Sequence, residues 1–172
     1  MLHDRKLCYF KYRVLHNILA CRKHLFRWKI VDSPYCILCN EIDDYQHFFI
    51  DCKRLNNLKL EIEKLLAKLG VANCSWNLKN IVIGYKINNK DYLFINIFIT
   101  IVAFTIYKDF YINNCDTSLT KEKNLFNLLK YELTLRNKLL KKYALSNRMK
   151  QFLIFLFYFP FLFQIKISKV LQ

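Results

Sequence analysis

Glycine and proline are almost missing from this chain, with two of each among 172 residues. The only glycines are Gly70 and Gly84, so no glycine-rich phosphate loop can be built, which sets aside the common nucleotide-binding turns. Few chain breakers and an apolar fraction of 54% also exclude a disordered polymer. Acids are scarce, 13 against 28 Lys and Arg, which leaves a net charge of +15. The N-terminal stretch "MLHDRKLCYFKYRV" lacks the uninterrupted apolar run of an export signal. The seven cysteines are an odd number, which argues against a closed disulfide framework. A reducing compartment, nucleus or cytoplasm, is expected, where cysteines act as metal ligands, nucleophiles or small buried groups.

The positive charge is unevenly spread. Residues 1–31 carry eight Lys or Arg against Asp4, and residues 121–150 carry nine against Glu122 and Glu132. Residues 32–52 carry none against Asp32, Glu41, Asp43, Asp44 and Asp51. An acidic island therefore lies between basic arms, and a polyanion would meet the arms more readily than the island.

Hydrophobic spacing predicts a mainly α fold. "DRKLCYFKYRVLHNILA" places Leu7, Phe10, Val14, Leu15, Ile18 and Leu19 on one helical face. "HLFRWKIVDSP" carries the chain to Pro34, which disfavours helix at Ser33 and suits a turn. "LNNLKLEIEKLLAKLG" predicts a helix with Leu55, Leu58, Ile62, Leu65, Leu66 and Leu69 inward and a stop at Gly70. "NIVIGY" reads as a short strand or a buried extended piece. "DYLFINIFITIVAFTIYKDFY" reads as a buried helix, and "KEKNLFNLLKYELTLRNKLLKKYA" as one amphipathic helix with Leu125, Leu129, Leu133 and Leu140 inward. The division expected is a zinc-binding helical domain over 1–70, a helical continuation over 71–145 and an aromatic apolar tail over 146–172.

The chemistry concentrates in "CILCNEIDDYQHFFIDC", residues 36–52. Two cysteines separated by two residues can turn both sulfurs to one point, and His47 and Cys52 supply a second pair. Cys36, Cys39, His47 and Cys52 form a Cys3His set of the closed, structural zinc type, with no open position for water. Tyr35, Tyr45, Phe48 and Phe49 are available to roof it; the bland alternative is three buried thiols and a surface histidine. The fold expected is a small helical domain built around a Cys-Cys-His-Cys zinc knuckle, with Zn2+ as cofactor.

Through "KYRVLHNILACRKHLFRWKIVDSPYCILCNEIDDYQHFFIDC" the chain resembles the reverse-transcriptase zinc-binding domain at the C-terminal end of non-LTR (LINE-type) retrotransposon polyproteins. The motifs that carry the likeness are "RWKI", an "SP.C..C" knuckle and "HFF..C"; it continues more weakly through "NIVIGY", "TIYKDF" and "LLKYELTLRNKLLKK". The resemblance implies the same four ligands, with Trp28 and Ile30 packed beneath the knuckle, and a reverse transcriptase as partner in cis or in trans. Phe48 stands where relatives more often carry Leu, and Asp109 and Phe110 stand in a region expected to be more basic.

No catalytic constellation is legible. "IDDY" supplies paired aspartates, but inside the knuckle loop and without the flanking strands of a polymerase palm, so a solvated turn is the expectation. His3, His16 and His24 are scattered, and Cys8, Cys21, Cys74 and Cys115 lack ligand spacing. The best nucleic-acid contact is Trp28 with Arg22, Lys23, Arg27 and Lys29, since an aromatic face can stack a base while cations meet phosphates. Its alternative is Trp28 as core. Residues 92–107 and 151–165 are uncharged but short of the roughly 20 residues that span a bilayer. The tail lies on a membrane, pairs with a missing partner, or is translated non-coding sequence. The function expected is a non-catalytic, retrotransposon-derived accessory that binds RNA or DNA or supports a reverse transcriptase. The alternative is a truncated relic or a membrane-attached basic protein with purely structural zinc.

Overall fold

The computed structural model describes residues 4–68, 75–85, 92–113, 121–144, 147 and 149–151. Among them the fold is mainly helical, as the periodicity predicts. Seven α-helices follow in chain order: α1 (Arg5–Leu15), α2 (Arg22–Arg27), α3 (Asn56–Lys68), α4 (Leu78–Val82), α5 (Tyr92–Asn113), α6 (Lys121–Leu135) and α7 (Asn137–Tyr143). Between α2 and α3 lie the knuckle, a π-helical turn (His47–Asp51) and a 3-10 turn (Lys53–Leu55). The glycine stop at Gly70, the cysteines Cys74 and Cys115, His3 and the aromatic run 152–165 lie outside the described residues.

Helix α5 is the axis of the fold. Its residues Phe94, Phe98, Ile99, Ile101, Val102 and Ile106 are all buried, and α1, α4, α6 and α7 pack on it. It is long and apolar enough to cross a membrane by composition, but most of it is covered by the protein's own helices, as the core reading expects. Helix α1 starts where the Asp4 carboxylate accepts the N–H groups of Lys6 and Leu7 at 2.9 and 3.1 Å, an ordinary N-cap. It buries Leu7, Phe10 and Val14 but ends sooner than the spacing suggests. Asn17 takes a left-handed φ of 55°, which turns the chain so that Leu19 is buried while Leu15 and Ile18 are exposed.

Two further expectations are corrected. "NIVIGY" is not a strand: its first three residues complete α4, which is capped by Asn77, whose side chain accepts the N–H of Asn80 at 2.9 Å. A sheet position needs a partner strand, and none exists among the described residues. The long amphipathic segment after 120 is broken at Arg136 into α6 and α7. Arg136 is buried; its guanidinium pairs with Glu132 one turn back and meets Asp4 Oδ2 at 2.9 Å through Nε. The guanidinium also lies over the ring of Phe104, 5.1 Å from its centre. Lys108 Nζ reaches Glu132 Oε1 at 2.6 Å, so two cations and two carboxylates balance between α1, α5, α6 and α7. The inward leucines Leu125, Leu129, Leu133 and Leu140 are buried as predicted, on both sides of the break.

The α4–α5 joint uses one of the two glycines. Gly84 has φ +98°, and a Cβ there would come 2.7 Å from Asn96 Oδ1, the atom that accepts the Tyr85 N–H. Gly84→Ala is therefore expected to cost more than about 1 kcal/mol in urea unfolding, because strain and a collision coincide. Lys11 joins α1 to α4 by donating to Ile81 O, and burial pushes its pKa down from 10.5 to about 8. The unfolded chain thus holds a proton between pH 8 and 10.5 that the folded chain sheds, and this group's contribution to stability rises with pH across that window. The stability of the wild type relative to Lys11→Met should rise between pH 8 and 10.5, measured by urea midpoints; a flat difference would refute the assignment.

Candidate metal centre

The knuckle is shaped by its backbone before any metal is considered. The Cys36 N–H donates to Glu41 O at 2.7 Å and the Asn40 N–H to Cys36 O at 2.9 Å, while Tyr35 and Ile42 form an antiparallel bridge. Asn40 provides the left-handed residue of this tight turn, with φ 57°. Asp44 then starts the next segment: its Oδ1 accepts the His47 N–H at 3.1 Å and its carbonyl the Phe48 N–H at 2.7 Å. The Cys52 N–H closes the π-helical turn on His47 O at 2.9 Å. His47 and Cys52 therefore belong to a wide turn ahead of α3, not to the first turn of that helix. The extra residue of a π-turn is what brings positions five apart toward one point.

Cys36, Cys39, His47 and Cys52 converge, with one donor atom from each lying within 4.8 Å of all the others. The Sγ atoms of Cys36 and Cys39 stand 3.9 and 3.8 Å from that of Cys52. Sulfurs bound at about 2.3 Å in a tetrahedron are separated by about 3.8 Å, so the spacing fits a tetrahedral ion. Both ring nitrogens of His47 are buried and lack a hydrogen bond, although the ring is only 4% exposed. An imidazole in that condition is costly unless something binds it. Glu41 Oε2 stands 3.2 Å from Nδ1, close enough for an ion pair though not aligned as a hydrogen bond, an arrangement that favours metal binding through Nε2. The donor set and the geometry fit a metal ion.

One of the three sulfurs is favoured as a thiolate. Cys36 is held below the usual thiol range, chiefly because the Cys52 thiol donates to it, with the amides of Leu38 and Cys39 assisting. Cys52 is pushed up for the converse reason, since it keeps the shared proton, and burial adds to this. The Lys53 N–H donates to Cys39 Sγ at 3.4 Å. Backbone donors of this kind stabilise thiolate ligands.

The shell around the cluster departs from expectation in two places. Phe48 and Phe49 are buried and Tyr45 nearly so, but Tyr35 is exposed. Trp28 and Ile30 do not pack beneath the knuckle: they are 47% and 64% exposed. The physical reason is α2, a short helix that the hydrophobic spacing does not announce. It ends at Arg27 with Trp28 as its C-cap, and Lys29 follows with φ 58°, which turns this stretch outward. Its first two amides are satisfied by Asp43, whose Oδ2 accepts the Arg22 N–H at 3.2 Å and whose carbonyl accepts the Lys23 N–H at 3.2 Å. Asp43 is thus buried and structural rather than part of a solvated turn. Burial raises its carboxyl above the usual range.

The five residues singled out for nucleic acid are only partly brought together. Lys23, Arg27, Trp28 and Lys29 are exposed on and just beyond α2, with Lys23 3.5 Å from Asp44. Arg22 parts from them and lines a cleft beside the metal cluster. Arg54, which spacing alone did not single out, lines the same cleft from the other side of the π-turn. Its position directly after Cys52 and Lys53 was the available signal. His24 has a packing role, with Nδ1 2.9 Å from Leu19 O and its ring against Tyr45 and Trp28.

Cys36→Ser or Cys39→Ser should abolish stoichiometric metal binding and lower the unfolding midpoint sharply, because metal affinity and folding are one equilibrium here. Cys8→Ser, outside the cluster, should change neither; elemental analysis and thermal melts with and without chelator decide this. Comparison of the chain with protein families, with curated proteins and with solved structures finds no match.

Proposed function

We propose that the chain is a non-catalytic, zinc-stabilised module that binds single-stranded RNA or DNA, of the kind carried by retrotransposon reverse transcriptases. Zinc is the ion of choice because three thiolates and one imidazole are borderline-soft donors and the closed set leaves no water position for chemistry. When bound, it supplies cross-linking of residues 36–52 and no catalytic step. The chain's own residues do the recognition.

One observation carries the reading: Trp28 stands half exposed at the end of α2, with Lys23, Arg27 and Lys29 exposed around it. Indole is expensive to leave in water, and an exposed aromatic flanked by cations is the arrangement that stacks an unpaired base while meeting its phosphates. Lys138, Lys141 and Lys142, all exposed on α7, add positive field. The resemblance in "RWKI", "SPYC" and "HFFIDC" is to modules that follow a polymerase, which supports a reverse transcriptase as partner in cis or in trans and an intracellular setting. The covered surface of α5 weighs against the membrane alternative.

Affinity for a short oligo-dT or oligo-U should fall with salt at a log-log slope of about 0.7 per phosphate contact. Replacing Lys23, Arg27 and Lys29 with Gln should flatten that slope. Trp28→Ala should weaken single-strand binding by about 1–3 kcal/mol with zinc content and helicity unchanged. No binding at low salt, or a slope unaltered in the Gln variant, defeats the proposal.

A further inference from the structure

Beside the metal cluster, α2, the knuckle, the segment after Cys52 and the end of α5 enclose a cleft of about 40 Å³. That is room for on the order of three waters, or for the polar edge of a larger flat group. Arg22 and Arg54 both line it, and the Nε of each is buried without a hydrogen-bond partner. Two guanidinium-bearing side chains that line one space favour a ligand that offers acceptors. Arg54 is held in place by the rings of Phe48 and Phe110, 5.3 and 5.5 Å from its guanidinium carbon, and by Asp109 at 4.0 Å.

The charge balance decides which ligand. Asp43 and Asp109 line the same cleft and offset the two arginines, and Cys36 and Cys52 border it. A phosphate would bring further negative charge to a space that already holds two carboxylates and adjoins thiolates. A neutral group with acceptors on one side and donors on the other matches both kinds of wall. We propose that the cleft receives the edge of an unpaired guanine, an inference that rests on the nucleic-acid reading above. Guanine presents O6 and N7 as adjacent acceptors suited to a guanidinium, and N–H donors suited to a carboxylate. Reaching both at once requires a base free of its pairing partner. Ile37 and Leu38 also line the cleft and are 66% and 47% exposed, so they provide apolar surface for the face of the ring.

The test uses the full zinc-loaded chain and fluorescence anisotropy with labelled oligo-dT, alone or with one central dG, dA or 7-deaza-dG. The dG oligonucleotide should bind about tenfold more tightly than oligo-dT, in line with one good bidentate contact. The dA oligonucleotide should lack this gain, and 7-deaza-dG, without the N7 acceptor, should lose most of it. Arg22→Gln, checked for folding by circular dichroism, should reduce the affinity for dG to that for oligo-dT. Equal affinity for dG and oligo-dT overturns the inference while leaving the nucleic-acid reading in place, and the modified bases separate these outcomes even if Arg22→Gln does not fold. A dG preference that survives both the 7-deaza base and Arg22→Gln also overturns it. Absence of all oligonucleotide binding at low salt removes the underlying reading and this inference together.

Discussion

The structure depends on a single segment having two jobs. Residues 45–52 carry two of the four converging donors, His47 and Cys52, and between them Phe48, Phe49 and Ile50 are buried in the main core. Phe49 meets Phe10 of α1 edge-on at 6.4 Å, Phe48 meets Phe110 of α5 at 5.0 Å, and the Trp76 indole donates to Phe49 O at 2.8 Å. Each buried ring contributes roughly 1.5–3 kcal/mol of apolar transfer. A π-turn lets neighbouring residues face opposite ways, so that the ligand cluster and the helical core hold the same eight-residue piece of backbone from two sides. The four converging side chains and the core are therefore coupled: disturbing either one displaces the other.

Much of this was legible because its signals are local. The four converging side chains follow from spacing alone, the buried faces of α1, α3 and α6 from three- and four-residue steps, and the burial of α5 from its continuous apolar run. What escaped was decided by distant partners. α2 has no side-chain cap of its own and depends on Asp43, twenty-one residues ahead. Paired aspartates in an acidic loop look solvated in sequence, and only the fold reveals that one of them supplies acceptors to a helix start. α4 escaped for a similar reason: a run rich in isoleucine and valine suits a strand, but α1 and α5 offer it a helical slot with no strand to pair with among the described residues.

The break at Arg136 shows the same override acting on charge. By propensity Arg continues a helix without difficulty. Here its guanidinium is drawn between Glu132, Asp4 and the face of Phe104. Burying a cation is tolerable only when it is paired, and the helical segment is interrupted at the residue whose side chain meets these partners. Asp4 already caps α1, so one carboxylate joins the start of the first helix to the break between α6 and α7.

The basic face is joined to the four converging side chains through a short mechanical chain. The exposed cations lie on and just beyond α2, α2 is anchored by Asp43, and Asp43 donates its own N–H to Pro34 O at 2.9 Å, at the base of the knuckle. Tyr45 clamps the other side, accepting the Leu19 N–H at 2.6 Å and donating to Leu19 O at 2.9 Å, just ahead of the helix. With its N-terminal end held at two points, the six-residue helix is anchored to the loop that carries the four converging side chains. An aromatic side chain and cations held on an anchored helix have less conformational entropy left to lose than the same groups on a free basic arm.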